Sequence, residues 1–108
     1  MAYDEVLAER IGEVLHGENV VEKKMFGGLC FLRDGHMVCG VHKDGAMFRV
    51  GKDHEARARS VPGTGPMTFA GRPMGGMVAA DGDLLADDLR RHALVGLALD
   101  HARGLPPK

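Results

Sequence analysis

Two Asp-Gly dipeptides, each set between short apolar runs, constrain the fold more than any other feature of this sequence. Asp34-Gly35 separates residues 25–32 from residues 37–42, and Asp44-Gly45 separates that second run from residues 47–51. Asp-Gly between apolar runs is a strong signal for a tight β-hairpin. Two hairpins in succession predict an antiparallel three-strand meander and exclude a βαβ unit, because parallel strands need a long crossover.

The segments on either side of the meander have helical periodicity. Over residues 5–16 the apolar positions recur at the spacing of one buried stripe, with Asp4 as the expected N-cap and Gly17 as the expected stop. The later elements are a short helix, two short strands and a long closing helix, over residues 53–59, 67–69, 77–80 and 81–103. The predicted order is α-β(3)-α-β(2)-α, an α+β domain with an antiparallel sheet packed against helices.

Counting back from the hairpin turns predicts the strand register. Cys30 would lie directly opposite Cys39 in a non-hydrogen-bonded pair, about 4.5 Å apart at Cα, which is near the short limit for a disulfide. Three interpretations stay open: two small buried hydrophobes, a redox bridge, or a soft-metal site that also uses Met37. The alternation places His36 and His42 on the opposite face, which argues against a mixed Cys/His zinc site.

The same register divides the meander into two apolar faces. The better core face is predicted to carry Phe26, Cys30, Leu32, Met37, Cys39, Val41, Phe48 and Val50. The second face is predicted to carry Met25, Leu29, Phe31, Val38, His42, Met47 and Arg49, together with glycines. This second face is too apolar to meet water, so it should pack against a helix or a second subunit.

Composition excludes several classes of function. The 108 residues are one domain's length, so residues 1–108 are predicted to form a single domain. A net charge of −1 gives no field that attracts nucleic acid or an anionic membrane. Two cysteines make no disulfide framework, and with an acidic N-terminus they predict a cytoplasmic setting. Ser60 is the only serine and stands in no catalytic context, so neither an enzyme nor a cofactor is expected.

Two further groups of residues each allow a purely structural interpretation and a functional one. Lys23, Lys24, Arg49, Lys52 and Arg72 either converge on an anion or are independent surface charges. The seven methionines fall mostly on or beside the predicted strands. They are either adaptable core fillers or part of a protein-binding face.

The stretch Glu22-Lys23-Lys24-Met25-Phe26-Gly27-Gly28 resembles the N-terminal domain of the TfoX (Sxy) regulators of bacterial competence. Three further stretches agree: Phe48-Arg49-Val50-Gly51, Phe69-Ala70-Gly71-Arg72-Pro73-Met74 and Leu105-Pro106-Pro107-Lys108. The resemblance implies a secretion-chaperone-like α-β(3)-α-β(2)-α domain, linked to transcriptional regulation of competence genes and without established enzyme activity. It carries over the motif positions Lys24, Phe26, Gly27, Gly28, Arg49, Gly71, Arg72 and Pro73.

The full-length competence regulators carry a second, C-terminal domain, so the resemblance implies a standalone N-terminal-domain protein here. We expect a non-enzymatic regulatory or adaptor domain that binds another protein and forms a homodimer, with no membrane or direct nucleic-acid partner. The alternative is a small-ligand, metal or thiol-redox sensing module. It would use Cys30 and Cys39, or a basic site near Arg49 and Arg72.

Overall fold

A computed structural model describes residues 3–25, 27–43, 45–69 and 71–106. Over these residues the elements are α1 (Glu5–Val14), β1 (Val20–Met25), β2 (Gly28–Arg33), β3 (His36–His42), β4 (Gly45–Arg49), α2 (Lys52–Arg59), β5 (Gly65–Phe69), β6 (Arg72–Asp81), α3 (Gly82–Leu85) and α4 (Asp88–Arg103). The strands form one antiparallel sheet in the order β1-β2-β3-β4-β6-β5. The predicted α+β class, with an antiparallel sheet packed against helices, is confirmed.

The predicted meander forms β2, β3 and β4. Asp34 and Gly35 both have positive φ, at 52° and 86°, which is the conformation that a two-residue hairpin of the primed type requires. Asp44 lies outside the described residues. The sequence analysis missed β1, which pairs with β2 along its whole length. Its residues Val-Val-Glu-Lys-Lys-Met lack the apolar alternation of a half-buried strand, because β1 is an exposed edge strand.

The predicted single closing helix is two helices. The Asp81 carboxylate accepts from the Leu84 amide at 2.9 Å and begins α3. The Asp87 carboxylate accepts from the Arg90 amide at 3.0 Å and begins α4. Asp87 has extended backbone angles, so the chain leaves the helical conformation there before α4 begins.

All the described helices pack on one side of the sheet. α4 contacts β3, β4 and each of the other three helices. One core cluster contains buried side chains from every helix and from one face of the sheet. Its sheet members are Leu29, Phe31, Val38, Cys39, Val41, Ala46, Phe48, Val50, Val78 and Ala80.

The register between β2 and β3 corrects the predicted assignment of the faces. Arg33 pairs with His36 and Leu32 with Met37, as predicted. Val38 is then an extra residue, so Phe31 pairs with Cys39. A shift of one residue moves every later side chain of a strand to the other face. Hence the expected core residues Cys30, Leu32 and Met37 lie opposite the helices, whereas Leu29, Phe31 and Val38 lie in the core.

The second hairpin differs from its prediction without changing the faces. His42 pairs with Gly45 and Cys39 with Phe48, where the sequence analysis paired His42 with Met47 and Cys39 with Val50. This is a shift of two residues, which preserves the alternation. The predicted core positions on β3 and β4 that follow the bulge are therefore correct: Cys39, Val41, Phe48 and Val50.

Candidate functional site: the open face of the sheet

One face of the sheet carries none of the described helices, and we call it the open face. Cross-strand pairing places Cys30, Gly40, Met47 and Ala79 in one row across β2, β3, β4 and β6. Directly opposed residues of an antiparallel pair share a face. Extending the alternation along each strand defines the open face by the side chains of Val21, Lys23, Met25, Cys30, Leu32, Met37, His42, Met47, Arg49, Met77 and Ala79, together with Gly40.

Burial supports this division of the sheet. Cys30 is 2% exposed and Met77 is 7% exposed, yet neither belongs to the core cluster. They are covered instead by neighbours on the open face. A Cβ built on Gly40 would lie 3.1 Å from Met47 Cε and 3.4 Å from Cys30 Sγ, so the side chains around this glycine lean over it. The open face is therefore a layer of closely spaced, partly covered apolar groups.

The open face carries mainly thioether side chains, with Lys23, His42 and the guanidinium of Arg49 as its described basic groups. Met25, Met37, Met47 and Met77 lie on it, and a methionine side chain is flexible and polarisable enough to fit surfaces of different shape. Arg49 pairs with Met77 and is half-buried. Among the described residues it forms no hydrogen bond or ion pair. A half-buried charge beside apolar neighbours is a group that a binding partner would satisfy.

The two cysteines do not form the pair that the sequence predicted. Cys30 lies opposite Gly40 on the open face, and Cys39 lies opposite Phe31 in the core. Their Cβ atoms point to opposite sides of the sheet, which no disulfide geometry accommodates. Burial raises the pKa of both thiols, most strongly for Cys39, so the reactive thiolate is disfavoured.

The same arrangement removes the soft-metal interpretation, because Met37 shares a face with Cys30 and not with Cys39. The predicted placement of both histidines opposite the cysteines is also wrong, because the bulge leaves His42 on the open face with Cys30 and His36 on the helix side with Cys39. Within the described ranges, no group of three or more His, Cys, Asp or Glu side chains is placed to hold a metal ion.

Apart from Arg49, which lies on the inner strand β4, the described family-motif positions lie in two hairpins at opposite edges of the sheet. Lys24 is exposed near the end of β1, and Gly27, with φ at 74°, makes the turn into β2. Gly71, with φ at 80°, makes the turn between β5 and β6. Arg72 and Pro73 follow it and pair with Phe69 and Thr68. Phe26 lies outside the described residues. The motif residues are therefore not gathered into one site.

Gly28 has a direct steric reason to be glycine. It begins β2 and is buried, and a Cβ there would overlap the Val41 carbonyl oxygen. That obstacle is backbone and cannot rotate away, so only glycine allows this close approach of β2 to β3.

The five basic residues also do not all converge. Lys52 begins α2 three residues after Arg49, and its Cε lies 3.5 Å from a Cβ built on Gly75. Lys23 and Lys24 lie on the β1 edge, while Arg49 lies at the far end of β4. Arg49 pairs with Met77, and Arg72 is five residues earlier on β6, a separation of up to about 16 Å at the rise of an extended strand.

The sequence analysis did not single out a cluster at the junction of β4, α2 and α4. The Val50 and Gly51 amides both donate to the Gly76 carbonyl at 2.9 Å, and the Gly76 amide donates to Glu55 Oε1 at 2.6 Å. The His101 ring lies so close to Gly51 that any Cβ would overlap it. Only the tertiary structure brings these residues together, since they come from separate elements.

Burial is the main cause that lowers the pKa of His101 below its ordinary value. The charge of Arg49 and the nearby rings of His54 and His36 lower it further, against a smaller opposing effect of Asp53. These contacts join the C-terminal end of α4 to the strands, which is a structural role.

A shallow groove of about 250 Å³ lies between α1 and β1. Gly12, Leu15 and Phe31 line it together with His16 and Glu22. Its charged rim belongs to exposed side chains, and nothing there resembles a catalytic arrangement.

The family model described as TfoX N-terminal domain matches residues 13–102 of the 108-residue chain. No curated protein matches the chain. No solved structure matches it either. Among the described residues, no helix is both long and apolar enough to cross a membrane.

Proposed function

We propose that this chain, which belongs to the TfoX N-terminal domain family, is a non-enzymatic regulatory or adaptor domain that acts by binding another protein. Its binding surface is the open face of the sheet, and its working form is a cytoplasmic homodimer. The process it serves is the transcriptional control of competence genes. The domain takes part in this control through a protein partner and not by contacting DNA.

The observation that carries the proposal is an apolar, methionine-rich sheet face on which none of the described helices packs. An antiparallel sheet with one solvated face ordinarily shows polar residues on that face. Here Met25, Leu32, Met37 and Met47 are half-buried there instead, beside Arg49, whose guanidinium has no hydrogen-bond or ion-pair partner among the described residues. Contiguous apolar surface of this kind marks interaction sites in soluble proteins.

The alternative sensing function has weaker support. The cysteines lie on opposite faces of the sheet, and Arg72 lies five residues along β6 from Met77, the residue opposite Arg49 on β4. No observation on the described residues favours a small ligand over a protein at the open face.

The test is photocrosslinking from a benzophenone amino acid placed at Met37 on the open face, in the cells that make the protein. The matched control places the same amino acid at Glu13, which is exposed on α1. We expect one discrete adduct from position 37 and none from position 13. The adduct's protein, once identified and purified, should bind wild-type chain at least about tenfold more tightly than a Met37→Lys variant. Adducts only from α1, or equal binding by the folded variant, would contradict the proposal.

A further inference from the structure

The two edges of the sheet are built differently. On the β5 edge, Pro66 lacks an amide hydrogen and the register shifts between Pro66 and Thr68. Proline and bulges at an edge prevent a further strand from adding. On the β1 edge, all six residues pair with β2 in unbroken register, and Val21 is 64% exposed. The β1 edge is therefore the one that another strand can extend.

The pairing with β2 determines which backbone groups of β1 point outward. A two-residue hairpin closes on a hydrogen-bonded pair, here Met25 and Gly28. Alternation then assigns the amide and carbonyl groups of Val21, Lys23 and Met25 to β2. The corresponding groups of Val20, Glu22 and Lys24 point away from the sheet and can accept a new strand.

We propose that two copies of the chain join β1 to β1, antiparallel, about a two-fold axis that passes beside Lys23. In this register Glu22 lies opposite Lys24 of the second copy, and Lys24 lies opposite its Glu22. Both pairs are outward-pointing backbone positions, so each pair can exchange two hydrogen bonds. The proposal specifies the homodimer of the proposed function and rests on it.

Charge selects this register among the symmetric ones. A two-fold axis that continues the sheet keeps each face on its own side, so paired residue numbers must both be odd or both be even. The neighbouring register, centred on Glu22, would set Glu22 against Glu22 and leave Lys24 opposite Val20. The register centred on Lys23 makes two Glu–Lys pairs at the cost of one Lys–Lys pair, whose long side chains can diverge. Within the described part of a single chain, neither Glu22 nor Lys24 has an ion-pair partner.

Apolar burial supports the same register. It sets the exposed Val21 against Met25 of the second copy, twice across the axis and on the open-face side. The dimer would then be one continuous twelve-strand sheet, with all helices on one side and both open faces side by side on the other. A partner protein would meet a methionine-rich surface of twice the extent.

The experiment measures self-association by sedimentation equilibrium for the wild type and for the charge reversals Glu22→Lys and Lys24→Glu. We expect each single variant to dissociate at least about tenfold more readily, because each reversal turns both cross-strand pairs into like-charge pairs. An equimolar mixture of the two single variants should form a heterodimer about as tightly as the wild type, since every pair is then Glu–Lys. Glu5→Lys and Lys43→Glu, at exposed positions off the edge, are the matched controls and should leave association unchanged.

Amide hydrogen exchange on the same samples gives a readout that does not depend on charge. The Glu22 and Lys24 amides should become protected as the wild-type concentration rises, and the Val21 and Lys23 amides should be protected throughout. A wild type that stays monomeric at all concentrations would overturn both this dimer and the homodimer of the proposed function. If both charge reversals leave dimer dissociation unchanged but Met47→Asp abolishes the dimer, only the β1 interface is overturned. That outcome would leave a homodimer through the open face.

Discussion

The two faces of one sheet, made by the same strands, have opposite surroundings in this protein. Phe48 and Met47 are consecutive on β4, and Phe48 is fully buried under the helices whereas Met47 is half-buried on the open face. Cys39 and Cys30 are both buried, but Cys39 belongs to the core under the helices whereas Cys30 lies on the open face. The helix-covered face explains stability, and the open face is the region left for recognition. Substitutions on each face test whether stability and recognition are separate.

The largest effect should come from truncating one side chain on each face of β4. We expect Phe48→Ala to lower the free energy of unfolding by about 3–5 kcal/mol, because it opens a cavity in the main core. Met47→Ala should cost about 1 kcal/mol or less, since its side chain is already partly in water. Urea denaturation measures both. Equal costs would mean that the open face is as fully packed as the core.

Adding a methyl group at two glycines should show a similar contrast. Gly28→Ala should cost about 2–3 kcal/mol, because the new Cβ meets the Val41 carbonyl and β3 must move. Gly40→Ala should cost about 1 kcal/mol or less, because Met47 Cε and Cys30 Sγ can shift into open surroundings. Thermal unfolding of the two variants checks this. A Gly28→Ala variant as stable as the wild type would exclude a steric role for this motif glycine.

Acidification should weaken the packing of the C-terminal end of α4 against the strands. The pKa of His101 is lowered in the folded chain, chiefly by burial, so the unfolded chain binds the proton first as pH falls. Its contribution to stability is complete above about pH 6.5, falls as the pH drops towards the lowered value, and is constant below it. The wild type should lose more thermal stability between pH 7.5 and pH 5.5 than His101→Gln does. His16→Gln, at an exposed position, is the control. Equal losses in the wild type and His101→Gln would contradict this assignment.

The smallest expected effect is that of an oxidant on the thiols. Because Cys30 and Cys39 face opposite sides of the sheet, oxidation of the native monomer should form no bond between them. The intact mass should therefore not fall by two hydrogens. In mild denaturant, iodoacetamide should modify Cys30 before Cys39, which lies under the helices. A disulfide-linked native monomer would refute the strand register described here.

The sequence predicted local structure well and the faces of β2 poorly. The Asp34-Gly35 turn, the Asp4 cap and the core positions of β3 and β4 beyond the bulge were all predicted correctly. The error in β2 comes from one extra residue in β3, Val38, which no turn signal in the sequence predicts. An error of two residues in the next hairpin did no harm, because side chains alternate with a period of two. Of the second apolar face that the sequence predicted, Met25, Met47 and Arg49 do lie on the open face, whereas Leu29, Phe31 and Val38 lie in the core.

By itself, the sequence determined where the chain turns and where its helices begin. Those features depend on a few neighbouring residues: glycine or aspartate at positive φ, and carboxylates that cap free amides. Only the tertiary structure decided which face each β2 side chain occupies, that β1 is an edge strand, and that Gly28 abuts Val41. These depend on how strands from distant parts of the chain pair. A bulge or an added strand changes that pairing without altering any local pattern.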